Sequence, residues 1–283
     1  LQPLYVYNID TDSHYHVRLQ VIGMAFYPTY GNKFLALKST LFPDRELVHG
    51  FGTRVRFDDP ADPPAPEQEW LRELAPAAAG VAWLRQIHSA AAWRVTLAGE
   101  RAVYQPDDGV SPVAHEPPEG DALLTADPGV GLAVRTADCF PVILFDPCRR
   151  MTAVIHSGWR GTLARITRQV LDELIRQCGV RPADLLAAVG PGIQGCCYEV
   201  DDRLAKTFAA EFPHSVRPPA GPRSGPRLDL AACLRRTLTD AGIPARQQDL
   251  CPLCTACNPL LFHSWRRDGP QAGRMITLAL LPA

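Results

Sequence analysis

The sequence predicts an α/β fold, a mixed sheet with flanking helices, on three observations. Short apolar runs of strand length recur through the chain. A periodic amphipathic helix follows directly on one of them. The two kinds of element alternate irregularly, without the strict βαβ repeat or the Gly-x-Gly-x-x-Gly turn of a dinucleotide-binding sheet. A chain of 283 residues with 46% hydrophobic content can bury a substantial core, as one large domain or two smaller ones.

The first 40 residues are rich in Tyr, Lys, Asn and His, whereas Arg, Ala and Pro dominate afterwards. Residues 1–40 are therefore read as an N-terminal extension and 41–283 as the domain. The His14-x-His16 pair falls in the extension and reads as an exposed polar loop or strand. Residues 58–67, 105–120 and 216–227 are rich in Pro with Asp, Gly or Arg and read as long loops.

The middle of the chain is the most legible. Val130 to Arg135 suits a strand, and so does Pro141 to Phe145. Asp146-Pro147-Cys148-Arg149 has turn chemistry. Met151 to His156 completes a hairpin that ends at His156. Gly158-Trp159-Arg160-Gly161 then turns the chain into a helix. Leu163, Ile166, Val170, Leu174 and Cys178 recur there at helical spacing, and Gly179 is a natural stop. His156 thus sits just before a helix N-terminus, where anions are favoured. Leu185 to Val189 and Arg274 to Leu281 suit two further buried strands.

The formal net charge is −1 and the pI about 6.8. That balance gives no general affinity for nucleic acid or for anionic membranes. No apolar run approaches the roughly 20 residues of a membrane span, and the basic, apolar, small-residue order of a signal peptide is missing. A cytoplasmic protein is expected. The nine cysteines are odd in number and irregularly spaced, so they read as reduced thiols.

Three separated segments each offer one good metal ligand: Gln86-Ile87-His88-Ser89, Thr136-Ala137-Asp138-Cys139-Phe140-Pro141 and His156-Ser157-Gly158-Trp159-Arg160-Gly161. Two imidazoles and one thiolate would hold zinc with a position left open, the arrangement of catalytic rather than structural sites. Composition alone does not choose these residues, because a lone buried Cys is more often a small hydrophobe.

The local context does choose them. The last two segments resemble the laccase-domain or polyphenol-oxidase-type family of multifunctional purine nucleoside phosphorylases. The resemblance continues in His49-Gly50-Phe51-Gly52-Thr53-Arg54, in Gly120-Asp121-Ala122-Leu123-Leu124-Thr125, and in Gly190-Pro191-Gly192-Ile193 with Cys197-Tyr198-Glu199-Val200. It ends in Ser264-Trp265-Arg266-Arg267-Asp268 with Gly273-Arg274-Met275, so it spans about 41–283 in order. Ser157, Trp265 and Gly52 depart from the commoner Ala, Tyr and Ser, and none of these changes removes a ligand.

The resemblance implies a single domain of the family's cysteine-hydrolase-like α/β type. It implies a monomer with a zinc held by His88, Cys139 and His156. It implies phosphorolysis of purine nucleosides (adenosine, inosine, guanosine, 5'-methylthioadenosine) to free base and ribose-1-phosphate, together with deamination of adenosine. Arg54, Arg160 and Arg266 lie in the shared motifs and are candidates to bind substrate or phosphate, or else to anchor the fold through ion pairs. Asp138 either orients a ligand histidine or caps a local turn.

Rival functions remain at this point. Copper at the same site could support polyphenol oxidation. A four-copper laccase is excluded, because the chain has eight histidines and no His-Cys-His run. Cys139 with His156 as base could act as a metal-free cysteine hydrolase, including a peptidoglycan-editing role. Cys251-Pro-Leu-Cys254-Thr-Ala-Cys257 offers two Cys-x-x-Cys steps that could hold a structural zinc or an iron–sulfur cluster, but no fourth cysteine follows closely and part of the segment belongs to the resembled family's pattern without a metal; Cys196-Cys197 reads as packing rather than ligation.

Overall fold

A computed structural model describes residues 26–30, 34–56, 71, 73–99, 101–106, 116–221 and 224–283. His14, His16, the 58–67 loop and most of the 105–120 loop lie outside the described residues. The architecture is the expected α/β class, but with two large mixed sheets in place of one.

The first sheet is built from β1 (Phe26–Tyr30), β2 (Phe34–Ser39), β3 (Val48–Arg56), β4 (Gly80–Ala82), β8 (Val130–Thr136) and β15 (Met275–Leu280). Its order is β1-β2-β3-β15-β8-β4, antiparallel except for the final β8/β4 pair. Phe26–Tyr30 and Phe34–Ser39, inside the segment read as an extension, therefore supply two strands of this sheet.

The second sheet holds β5 (Ala92–Ala98), β6 (Arg101–Pro106), β7 (Ala122–Thr125), β9 (Phe140–Asp146), β10 (Met151–Ser157), β11 (Leu186–Val189) and β14 (Gln248–Leu250). Its order is β14-β11-β9-β10-β7-β5-β6, and β12 (Val216–Arg217) pairs with β13 (Arg227–Leu228) in a separate ribbon at the ends of the segment read as a loop. β9 and β10 form the predicted hairpin, with His156 opposite Pro141.

Alternation along β9 sets the layers. Ile143 and Phe145 pack with Phe51, Leu132 and Ala279 of the first sheet. Val142 and Leu144 face the helices on the other side. Both faces of this strand are buried, so it reads as a continuous apolar run.

The helices are α1 (Trp159–Leu163), α2 (Ile166–Cys178), α3 (Asp202–Glu211), α4 (Leu230–Asp240) and α5 (Trp265–Asp268). The single helix expected after Gly161 is broken by Arg165, whose φ of 62° is left-handed. Ile166, Val170, Leu171 and Leu174 of α2 pack on the second sheet. Gly179, with φ of 64°, ends α2 as predicted, because only glycine adopts that conformation without cost. No described helix is long and apolar enough to cross a membrane.

Candidate active site

Four neighbouring strands of the second sheet deliver the site to one edge. Cys139 precedes β9, His156 lies near the end of β10, Asp121 precedes β7, and the His88 loop leads into β5. The pairings Ile155 with Ala122 and Ala122 with Ala92 bring these ends level.

The His88 loop is fastened at two points. The Gln86 side chain donates to the Arg135 carbonyl and accepts from the Arg135 N–H, each at 2.8 Å. The buried Asp121 carboxylate accepts from the backbone N–H groups of Ile87, His88 and Ser89 and from the Ser89 hydroxyl. Held in this way, His88 sits at φ 60°. A non-glycine residue there costs energy and persists where its surroundings dictate it.

Asp121 also meets His156, with Oδ1 2.7 Å from Nδ1. The carboxylate fixes the imidazole so that Nδ1 carries the proton and Nε2 faces the site. Burial opposes the charge on Asp121, yet His156 and Ser89 hold its carboxyl below the usual range.

His88, Cys139 and His156 come together, with their ligand atoms all within 4.8 Å of one another, so the group could hold a metal ion. The imidazole rings lie edge-to-face with centroids 4.8 Å apart. His156 is buried and His88 is exposed, so the cluster opens to solvent on the His88 side. In the metal-free chain, burial would raise the Cys139 thiol, but His156 and His88 bring it down to about 6. Burial likewise opposes the His156 charge, and Cys139 and Asp121 raise that imidazole to about 9.

Gly158 is required beside the cluster. A Cβ there would stand 2.7 Å from Cys139 Sγ and 3.2 Å from His88 Cδ2. Gly158→Ala is therefore expected to displace the sulfur and lower metal affinity by about tenfold or more, measured by competition with a chelator. Unchanged affinity would show that the cluster tolerates the displacement. The unusual Ser157 is accommodated because its buried hydroxyl pairs with that of Thr162 at 3.0 Å.

The cluster lies in a cavity of about 720 Å³, whose lining includes Arg85, Arg135, Arg160, Arg266, Arg274, Tyr198 and Trp265. The Arg160 side chain makes no hydrogen bond or ion pair among the described residues, and its guanidinium lies 4.3 Å from the centroid of the Trp159 ring. Arg266 is more committed. It donates to the Glu199 carbonyl at 2.8 Å and lies over Tyr198.

Arg54 is not among the residues lining this cavity. It extends from β3 and donates to the Pro259 carbonyl. Asp138 lines the cavity at φ 92°, but its carboxylate hydrogen-bonds no histidine among the described residues. Its carboxylate accepts from the Thr255 hydroxyl and the Arg266 backbone N–H, both at 2.6 Å. The carboxylate that meets a histidine is Asp121. It stands in the quoted Gly120-Asp121-Ala122 motif, where a charged residue against an apolar strand was the available signal.

Cys196 and Cys197, read from sequence as packing residues, stand against Cys254 and Cys257. Cys251 is buried outside that group.

The family model of the multi-copper polyphenol oxidoreductase laccases matches residues 51–282. The chain belongs to that family. It is similar to a purine nucleoside phosphorylase of Deinococcus radiodurans, with 35% identity over 85% of this chain and 91% of that one. It is 39% identical to the adenosine deaminase RL5 of an unknown prokaryotic organism, over 56% of this chain and 60% of that relative. The crystal structure of YlmD from Geobacillus stearothermophilus superposes with a TM-score of 0.76 at 25% identity, covering 92% of this chain and all of that one.

Proposed function

We propose that this laccase-family chain is a zinc-dependent purine nucleoside phosphorylase that also deaminates adenosine. The observation that carries the proposal is the convergence of His88, Cys139 and His156 in an arginine-lined cavity. The names carried by similar proteins, a purine nucleoside phosphorylase and an adenosine deaminase, support it.

The donor set fits zinc, a borderline-soft ion that takes imidazole and thiolate together. Bound there, zinc would supply Lewis acidity and lower the pKa of water toward neutrality. In deamination, water adds at C6 of adenine and ammonia leaves. In phosphorolysis, a phosphate oxygen bonds to C1' as the C1'–N9 bond breaks, and the base departs with the electron pair and takes up a proton. The arginines hold the phosphate and oppose its charge. The exposed Trp265 offers a flat face at the cavity on which a purine can stack.

The test uses zinc-loaded protein and adenosine, with and without phosphate, and separates the products. Adenine that depends on phosphate, inosine that does not, and loss of both in Cys139→Ala are expected. If neither product forms, the nucleoside reading fails. Arg160→Ala should raise the KM for phosphate by about 10–100-fold and leave deamination nearly intact, because only one of the two reactions uses phosphate. Equal loss of both activities would remove Arg160 from the phosphate site.

One observation favours a second reading. Cys139 Sγ stands within 4.8 Å of a His156 ring nitrogen, and each group favours the charged form of the other, the pairing a cysteine nucleophile uses. Turnover of an acyl substrate by the metal-free protein, inhibited by zinc, would select that reading.

A further inference from the structure

A second group of metal-ligating side chains lies outside the cluster just described. Two turns build it. Cys196 and Cys197 sit in a turn closed by the Cys197 and Tyr198 N–H groups on the Gln194 carbonyl. Cys254 and Cys257 are the ends of a Cys-x-x-Cys turn. The parallel pairing of β11 with β14 aligns Val189 with Leu250, and a further bridge joins Gly192 to Cys254. That register brings the turns together across about sixty residues of chain.

The four sulfurs all lie within 4.8 Å of one another. Cys257 Sγ is 3.5 Å from Cys196 Sγ and 3.2 Å from Cys197 Sγ, and the two vicinal sulfurs are 3.7 Å apart. Four thiolates at about 2.3 Å from one tetrahedral ion stand roughly 3.8 Å apart. These three spacings fall at or a little below that edge, and every pair lies within 4.8 Å. An iron–sulfur cluster would hold its cysteine sulfurs further apart, since bridging atoms lie between them.

A second observation points the same way. The Gln194 N–H donates to Cys254 Sγ at 3.4 Å, and burial of this thiol is outweighed by neighbouring backbone N–H groups that hold its pKa down. Backbone donors converging on the first sulfur of a Cys-x-x-Cys turn stabilise it as a thiolate. Guanidinium groups also surround the two turns. Arg227 donates to the Cys196 carbonyl and Arg267 to the Thr255 carbonyl, at 3.4 and 2.9 Å. They oppose the net negative charge that four thiolates would leave around a divalent ion.

We infer that Cys196, Cys197, Cys254 and Cys257 form a closed tetrathiolate zinc site. The site is structural, since four protein ligands leave no open position. It ties the turn leading into Tyr198 to the turn carrying Thr255. Thr255 in turn holds Asp138, the neighbour of Cys139, so this zinc braces a wall of the cavity.

The test is independent of nucleoside chemistry. Full-length protein is purified without added metal, and zinc and iron are quantified. About two equivalents of zinc are expected in the wild type, and about one in either Cys139→Ala or the double variant Cys196→Ser, Cys257→Ser. The double variant should also melt about 5 °C lower or more. As a control that leaves these four cysteines in place, Cys139→Ala is also reconstituted with cobalt(II). Intense visible bands of a tetrahedral tetrathiolate are then expected. Cys139→Ala protein without zinc and without those bands would overturn the inference. So would iron in place of zinc, or a disulfide among these cysteines found by mass spectrometry.

Discussion

Replacing Asp121 by Asn is expected to weaken zinc binding by about 10–100-fold and to lower both nucleoside activities with it. The carboxylate does two jobs with one buried group. It accepts from three successive N–H groups that shape the His88 loop, and it meets Nδ1 of His156. An amide keeps the size but loses an acceptor oxygen, and it places an NH₂ against a donor. Either the loop or the imidazole then goes unsatisfied. Asp121→Ala removes every acceptor and leaves buried donors without partners, a loss on the order of 3–5 kcal/mol of fold stability. Zinc affinity is read by chelator competition and stability by thermal melting. Asp138→Asn is the informative control. Its carboxyl accepts from Thr255 and the Arg266 backbone and hydrogen-bonds no histidine among the described residues, so the substitution should alter substrate parameters more than zinc affinity. Wild-type zinc affinity in Asp121→Asn would show that His156 needs no carboxylate to position it.

The contrast between Asp121 and Asp138 shows what the sequence could reveal. The β9/β10 hairpin, the stop at Gly179 and the strands at 130–136 and 275–280 come from local patterns, apolar runs and turn residues, and the structure reproduces them. The meeting of His88, Cys139 and His156 was legible because each lies in a distinctive motif. Which carboxylate reaches His156 was not, because it depends on strand register. Asp138 is next to the cysteine in sequence, whereas Asp121 is next to His156 across the β7/β10 pairing. The break at Arg165 was hidden because the hydrophobic period continues through it. The cysteine pairs 196/197 and 254/257 meet only through the parallel β11/β14 register. Arg54 shares a motif with buried β3 residues, but strand alternation directs it to Pro259. The strands at 26–30 and 34–39 lie where composition changes, yet composition does not report which edge of a sheet is unpaired.

The second large effect concerns pH in the metal-free chain. With zinc removed, Cys139 should alkylate at neutral pH a few-fold faster than an ordinary thiol, and its rate should rise with a midpoint near 6. The cause is the protonated His156 beside it, raised to about 9. The two titrations belong to the pair rather than to either residue alone. Each has a definite sign for stability. The Cys139 value is depressed, so its contribution is lost as pH falls through about 6. The His156 value is raised, so its contribution is lost as pH rises through about 9. Between those limits the thiolate and imidazolium stabilise the apo fold together. Zinc requires the Nε2 lone pair of His156, so binding between these limits must expel a proton, and affinity should climb with pH across the window. Peptide mapping of alkylated protein isolates Cys139 from the exposed Cys148, Cys196 and Cys257. Zinc should protect it, and His156→Ala should return its midpoint toward that of a free thiol. A midpoint near 9 in the metal-free wild type, or zinc binding without proton release at pH 7, would mean that no ion pair forms. The readiness of this cluster for a metal would then rest on geometry alone.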